Sequence, residues 1–466
     1  MTANWTTLRE LLLPAASQGG RGRAVESALR TAIRDGQLAP GLRLPSSRDL
    51  AAQLGVARGT VTAAYGQLTA EGYLTTRRGS GTSVATTLVG PAASPTPTPS
   101  TQAWRYDLRP GLPALSEFPR AEWVAATRAA LTELPDEALG YPDPAGLLEL
   151  RTELAAYLGR VRAVTATAED VVITHGGAEA LSMLTAVLRA QGHESIGVED
   201  PGHPGQLDLL REHGLRPVSS PVDDDGIVVS ALPATVRAVL VTAAHQFPLG
   251  AALAPARRHA LLAWARSGDG VVIEDDYDAE HRYDRPALHA MQAMDPARVA
   301  YLGSVSKTLA PALRLGWLVL PPALRATTVA RKKLTDLGCS PLPQAAFARL
   351  LRGGGYDRHL RRSRLAYRRR RDALLSAVTE FLPTWQPIGV AAGLHVVLRL
   401  PADLDDSVVS ARLADRGIHA PALSGYTRLG TFPGLVIGYA ATTPDRLRDA
   451  VREIAATVRQ DARRHS

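Results

Sequence analysis

Apolar residues in the first 85 positions recur at helical spacing and then switch to the short alternation of strands. From Arg21 to Asp35, Val25, Leu29 and Ile33 fall on one helical face. A second helix is predicted from Ser46 or Ser47, either able to cap it, through Leu54, with Leu50 and Leu54 inward. Gly55-Val56 turns the chain into a third helix, about Arg58 to Glu71, that buries Val61, Tyr65 and Leu68. Gly72-Tyr73-Leu74 then starts a strand, Arg77-Arg78-Gly79-Ser80-Gly81 turns, and Thr82-Ser83-Val84 returns.

That order of helix, helix, short turn, helix and hairpin is the order of a winged helix-turn-helix. Beyond it the periodicity stops. Leu88 to Gln102, LVGPAASPTPTPSTQ, alternates Pro and Thr, which favours extended geometry over a packed core. The chain therefore divides into residues 1–85, a semi-rigid linker at 86–106, and a block at 107–466. In the last block apolar β-type runs alternate with helical segments: VVITH, SIGVED, VLVTAAHQF, GVVIEDDY, VAYLGSVS and LGWLVL. This predicts an α/β domain, a mostly parallel sheet between helices, with polar residues at the strand ends where such folds hold ligands.

Composition narrows the class. With 45% hydrophobic and 21% charged residues the chain is ordinary globular protein. No apolar run has bilayer length and the N-terminus lacks a leader pattern, so no membrane partner is expected. A single cysteine, Cys339, excludes an internal disulfide framework and fits a cytoplasmic location. The net charge of +8 is concentrated: residues 1–85 carry ten Arg against five acidic residues, which suits a polyanionic partner.

Candidate chemistry starts with lysine. Only Lys307, Lys332 and Lys333 occur among 53 basic residues. Lys332 and Lys333, in RKKLTD, read as a solvated helical face. Lys307 follows the run VAYLG in Ser304-Val305-Ser306-Lys307-Thr308, and an amine condenses with an aldehyde where a guanidinium cannot. Arg314 and Ser304 flank it, and guanidinium, hydroxyl and backbone amides make a phosphate cradle. Gly176-Gly177-Ala178, between VVITH and EALSMLTAVL, adds amides at a helix N-terminus. Asp275 in IEDDY can pair with a protonated ring nitrogen, Tyr277 can bond a phenolic oxygen, and His203 in EDPGHPG can lie over a ring face. Taken singly, His203 also suits a loop cap and Asp275 an arginine partner. No metal site is expected.

The segment GQLAPGLRLPSSRDLAAQLGVARGTVTAAYGQLTAEGYLTTRRGSGTSV resembles the N-terminal domain of GntR-type regulators nearly throughout. The resemblance implies DNA contacts at Arg48, at Arg58, Gly59, Thr60 and Thr62, and at the wing tip Arg78 and Gly79. Arg58 would fork onto guanine from the start of a recognition helix, and Thr60 with the helix amides suits phosphate. Where this chain has Gly59 the family often has Thr. From about Asp107 onward the chain resembles fold-type I aminotransferases that use pyridoxal 5′-phosphate (PLP), in the motifs YPDPAGLLELR, THGGAEAL, VEDPGHPG, HQFPLG, IEDDYDAEHRY and SVSKTLAPALRLGW. Both blocks together resemble the MocR/GabR subfamily of GntR regulators. This implies Lys307 as Schiff-base lysine, Asp275 at the pyridine nitrogen, Tyr277 at the 3′-oxygen, His203 over the ring, and Arg314, Ser304 and Gly176-Gly177-Ala178 at the phosphate. It also implies a double-stranded DNA operator and a head-to-tail, domain-swapped homodimer in which Tyr141 reaches the neighbouring subunit's phosphate.

The motifs depart from aminotransferases in two places. Their Asn-Pro-Thr-Gly turn is Phe247-Pro248-Leu249-Gly250 here, so the amide contact to the cofactor is lost or moves to His245 or Gln246. The strand Leu435 to Ala440 has no arginine for a substrate carboxylate, Arg428 being the nearest candidate, and Gly205 stands where the GABA-responsive regulator has another. Losing a charge-assisted pair of about 1.5–3 kcal/mol argues against efficient transamination. The expectation is a regulator of the PdxR type, in which PLP is the effector and vitamin B6 synthesis genes the target. The alternatives are a regulator answering an amino acid or amine through an imine with PLP, and a genuine aminotransferase. Arg358 to Arg371, RHLRRSRLAYRRRR, reads as a solvated helix with Leu360, Leu365 and Tyr367 partly buried, or as a supplementary DNA contact.

Overall fold

The computed structural model describes residues 21–77, 81–86 and 103–462. They fall into two compact units, Met1–Gln102 and Ala103–Ser466. In the first, α1 (Arg21–Arg34), α2 (Ser47–Leu54) and α3 (Arg58–Ala70) precede an antiparallel hairpin of β1 (Leu74–Arg77) and β2 (Gly81–Val84). Ser46 caps α2 by accepting from the Asp49 amide at 3.2 Å, and Gly55 ends it in the left-handed region, at φ 64°. Val25, Leu29, Leu50, Val61 and Leu68 are fully buried in one core, as the helical spacing predicts. The expected wing tip, Arg78 and Gly79, lies outside the described residues, as do residues 87–102 of the expected linker.

The second unit starts at Ala103, four residues before the boundary expected from sequence. Trp104 stacks on His419, ring centroids 4.6 Å apart, and β3 (Tyr106–Asp107) belongs to a two-stranded sheet, so these residues are packed. Eight strands then build the main sheet: β4 (Val171–Thr174), β5 (Ser195–Asp200), β6 (Arg216–Asp223), β7 (Gly226–Ile227), β8 (Ala238–Val241), β9 (Val271–Asp276), β10 (Val299–Ser304) and β11 (Gly316–Val319). Their order is β4-β11-β10-β9-β8-β5-β6-β7, parallel from β10 through β6, with β11 antiparallel to both its neighbours. Ala180, Leu184 and Leu188 of the helix Gly177–Ala190 pack on one face, while Leu154, Leu158 and Phe347 pack on the other. The remaining strands are β12 (Gln386–Ile388), β13 (His395–Arg399), β14 (Ile418–His419) and β15 (Gly434–Gly438); β12-β13-β15 form an antiparallel sheet, and β14 pairs with β3. Among the described residues no helix is long and apolar enough to cross a membrane.

Two expectations from charge and helical pattern are corrected. Lys332 is fully buried, not solvated: its Nζ donates to Glu179 at 2.9 Å and to Asp336 at 2.6 Å, joining two helices. Leu365 is 59% exposed, although Leu360 and Tyr367 on the same helix are buried. Its position faces solvent between arginines, so its apolar character says nothing about packing there.

Candidate functional site

The carboxyl ends of β4, β5, β8, β9 and β10 bring the sequence-predicted residues to one edge of the sheet, where open α/β folds bind ligands. Lys307 follows β10 in a turn and is half-buried. Its Nζ donates to the carbonyl of Gly111 at 2.8 Å, and a Cβ at Gly111, whose φ is +76°, would stand 3.1 Å from that nitrogen. Burial lowers the Lys307 pKa, while Asp275 and Asp278 act to raise it. The net lowering favours the neutral, nucleophilic amine.

Strand alternation separates three adjacent carboxylates on β9. Glu274 and Asp276 turn to one face, where Glu274 accepts from the Met291 amide at 3.0 Å and Asp276 from Arg162 at 2.7 Å and Tyr301 at 2.6 Å. Asp275 turns to the other, buried, and accepts from Gln206 Nε2 at 2.6 Å. Burial pushes its pKa up to about 7; the Gln206 hydrogen bond and the charge of Lys307 pull against that rise.

Gly176 sits at φ 90° before the helix Gly177–Ala190, which has no side-chain cap. Its first amides, including those of Gly177 and Ala178, are thus open to an anion. Arg314 is exposed, in the left-handed region at φ 49°, and its side chain has no hydrogen-bond or ion-pair partner among the described residues. A Cβ at Gly176 would come 3.1 Å from one of its guanidinium nitrogens. Ser304 donates to the Ser306 hydroxyl at 2.8 Å and accepts from the Ser306 amide at 3.0 Å, which fixes the turn leading to Lys307.

The Tyr277 hydroxyl lies 3.1 Å from His245 Nδ1 and donates to the His245 carbonyl at 3.0 Å. His245 Nδ1 is also 2.9 Å from the buried Asp278. Gln246 is committed to the carbonyls of Pro201 and Phe247 at 2.9 and 2.6 Å, so of the two replacements for the missing asparagine only His245 reaches the tyrosine. His203 stands exposed at the head of the helix Pro204–Glu212, its ring 5.3 Å from that of Phe247. Arg428 comes to the same loop, its amide 3.0 Å from Asp200, while Gly202 N donates to the Tyr426 carbonyl at 2.9 Å. Tyr141 is 89% exposed and joins nothing of this site within one chain.

Gly111, Gln206 and Asp278 escaped the reading of the sequence. None carries a local signal, since each meets its partner only through tertiary folding. His175, Glu179, Asp336 and Cys339 bring possible metal-ligand atoms within 4.8 Å of one another. Lys332 already bonds both carboxylates, and His175 Nδ1 lies 3.3 and 3.2 Å from them, so this cluster is a network of ion pairs and hydrogen bonds.

In the first unit Arg48, Arg58, Gly59 and Thr62 are exposed and Thr60 is half-buried. The Ala57 N-cap offers no side-chain acceptor to the first amides of α3. Thr62 donates to the Arg58 carbonyl at 3.0 Å, leaving its oxygen lone pairs outward. A Cβ at Gly59 would meet nothing within 4 Å, so packing does not demand glycine there.

A winged helix-turn-helix ahead of an α/β unit with an amine and a free guanidinium at its strand ends is the make-up of a regulator built on an aminotransferase fold. Residues 115–454 match aminotransferase class I and II, and residues 21–84 match bacterial regulatory proteins of the gntR family. The chain is 35% identical over 437 residues to the HTH-type pyridoxine biosynthesis transcriptional regulator PdxR of Corynebacterium glutamicum, covering 92% of this chain and 94% of that one. It is 31% identical over 458 residues to the probable rhizopine catabolism regulatory protein MocR of Rhizobium meliloti, covering 93% and 92%. Among solved structures it is similar to Pyrococcus horikoshii kynurenine aminotransferase, with 25% identity and a TM-score of 0.70 over 78% of this chain and 92% of that one. The chain belongs to the MocR-type GntR regulators, transcription regulators with a helix-turn-helix and an aminotransferase-like domain.

Proposed function

We propose that this regulator senses PLP in the cytoplasm and controls genes of vitamin B6 synthesis. The observation that carries the reading is the gathering of Lys307, Arg314 and Asp275 at one sheet edge, with no arginine on β15 to anchor a substrate carboxylate. The residues present fit the cofactor. Among the described residues Arg314 has no protein partner, the helix after Gly176 has no side-chain cap, and a Cβ at Gly176 or Gly111 would intrude on Arg314 or Lys307. When bound, PLP supplies an aldehyde carbon, a phosphate and a pyridine nitrogen. Lys307 would hold the first, Arg314, Ser304 and the amides of Gly176-Gly177-Ala178 the second, and Asp275 the third, with Tyr277 serving the ring oxygen and His203 the ring face.

The 35% identity to a pyridoxine biosynthesis regulator supports vitamin B6 as the theme. Exposed Leu139, Tyr141 and Leu148 support a head-to-tail homodimer in which Tyr141 serves the partner's phosphate site. DNA is read by Arg48, Arg58, Gly59, Thr60 and Thr62, with Arg78 and Gly79 at the wing, and the α/β unit acts as a sensor, not an enzyme. Binding of PLP shifts the dimer between arrangements with different affinity for the operator.

The deciding experiment measures binding to the region upstream of the chain's own gene, with and without PLP, for wild type and Lys307→Ala, with transamination assayed alongside. PLP should change the affinity of wild type only. Equal binding in all four conditions, or brisk turnover of an amino acid, would overturn the sensor. The placing of Arg428 beside the His203 loop favours one second reading, an amino acid or amine as co-effector. In that case an amino acid would alter operator affinity in wild type and not in Arg428→Ala.

A further inference from the structure

The helix Gly355–Phe381 carries eight arginines between Arg358 and Arg371 with no acidic residue among them. The fold uses part of this charge internally. Arg370 is buried and donates to Glu117 and to the Ala440 carbonyl. Arg364 donates to the Glu280 carbonyl at 2.8 Å, Arg358 to that of Gly353 at 3.0 Å, and Arg362 meets Glu122 at 3.4 Å. Of the four that remain, Arg371 is half-buried, and Arg361, Arg368 and Arg369 are left at the surface. Each of these three is exposed and forms no hydrogen bond or ion pair among the described residues.

An Arg-rich composition alone does not account for this stripe. The helix Pro444–Ala462 is also arginine-rich, yet its acidic residues alternate with the basic ones: Arg452 pairs with Asp449 at 3.1 Å, while Arg448 reaches across to Glu380 near the end of the helix Gly355–Phe381 at 2.6 Å. A solvated surface helix is balanced in that way. The stripe from Arg358 to Arg369 is not, and it runs about 16 Å along the helix at 1.5 Å per residue. That length spans about five base pairs of duplex at 3.4 Å each.

We propose that Arg361, Arg368 and Arg369, flanked by Arg358 and Arg362, bind backbone phosphates of the operator duplex outside the base pairs read by α3. The inference rests on the DNA-binding reading above. Charge complementarity selects the occupant, because free guanidiniums on a packed, rigid helix suit a repeating polyanion. An anionic membrane surface fits less well. Such helices insert an apolar face, and Leu365 is the one large apolar residue exposed on this helix among the described residues. Phosphate contacts carry no sequence information, so the stripe adds affinity and salt dependence and leaves sequence preference to α3.

The test uses the full-length, PLP-loaded protein and a duplex that wild type selects from a random library, prepared as the minimal site and with extended flanks. Arg361→Glu/Arg368→Glu/Arg369→Glu is compared with Arg446→Glu/Arg448→Glu/Arg452→Glu, which changes net charge equally elsewhere. Thermal melting and the absorbance of bound cofactor establish that both fold. The stripe variant should bind the flanked duplex roughly tenfold or more weakly near 0.15 M salt, with the slope of log K against log salt shallower by about 3. The minimal site and the control variant should show little change. An unchanged slope, or an equal loss in the control, overturns the stripe. So does a loss of sedimentation with phosphatidylserine vesicles while DNA binding stays intact. Failure of wild type to select any duplex defeats the DNA-binding reading itself, a separate result.

Discussion

Gln206 donates a 2.6 Å hydrogen bond to Asp275, so the carboxylate that faces the crevice is held in place by a neutral amide. Burial of Asp275 lifts its pKa to about 7, and the folded protein therefore binds that proton more tightly than the unfolded chain, whose aspartate titrates near ~4. Stability tied to this group is fully present below about pH 4 and is lost as the pH climbs through about 7. A cationic pyridine nitrogen would relieve that cost, whereas Asn relieves it without any ligand. Asp275→Asn, free of cofactor, should melt higher than wild type at about pH 8, with the gap closing toward about pH 4. The same variant should bind PLP more than tenfold more weakly by absorbance titration. A gap that does not change with pH would show that Asp275 is not the titrating group.

On the proposed reading, Arg314 separates phosphate recognition from amine capture. Arg314→Met should weaken PLP binding by about 1.5–3 kcal/mol, the range for a charged hydrogen-bonding group. It should leave the affinity for pyridoxal, which lacks the phosphate, unchanged. Arg314→Lys should recover only part of the loss, since an ammonium keeps the charge without the planar fork. Titration of each variant with both aldehydes checks this, and an equal loss for both would place Arg314 elsewhere in recognition.

The sheet was legible because each of its central strands is a short β-branched run closed by polar residues, and because the stretch from Ser304 through Lys307 to Arg314 keeps its chemistry local. The helices of the small unit were legible for the parallel reason: Val25, Leu29 and Ile33, then Leu50 and Leu54, each keep one helical period, and Ser46 marks the start of α2. What stayed hidden is tertiary. Gly111 lies 196 residues from the lysine whose amine it receives, and nothing in its neighbours announces the meeting. Arg162 ends a helix with no local sign of its role, yet it is a buried counter-ion to Asp276, which Tyr301 also bonds, behind the site. Lys332 misled in the same way, since hydrophobic periodicity has no means of marking a charge that is buried because two carboxylates face it.

That buried lysine yields a stability prediction independent of any ligand. Lys332 is fully buried, while Glu179 and Asp336 retain 17% and 20% of their side-chain exposure. Removing the cation leaves two carboxylates facing one another, although partial hydration softens the cost. Lys332→Met should destabilise the protein by about 2–3 kcal/mol in urea unfolding, below the range for a fully buried pair. Lys332→Met combined with Glu179→Gln and Asp336→Asn should regain much of that, because no uncompensated charge then remains. A triple variant no more stable than the single one would assign the loss to packing of the lysine stem.

At the reading head, Arg58 and Gly59 should behave oppositely. Arg58→Ala should cost about 1–3 kcal/mol of operator affinity and relax preference at one base position, since a forked guanidinium is what distinguishes guanine. Gly59→Thr should fold at least as well as wild type, because the added Cβ meets open space and glycine is a poor helix former. Its hydroxyl stands beside the open amides at the start of α3, where a phosphate would lie. A hydrogen bond to a charged group is worth about 1.5–3 kcal/mol, so affinity should rise about tenfold or more with the base preference unchanged. Binding assays across a set of single-base operator variants read both effects, and a Gly59→Thr protein that loses affinity would mean that the DNA backbone approaches α3 too closely for any side chain.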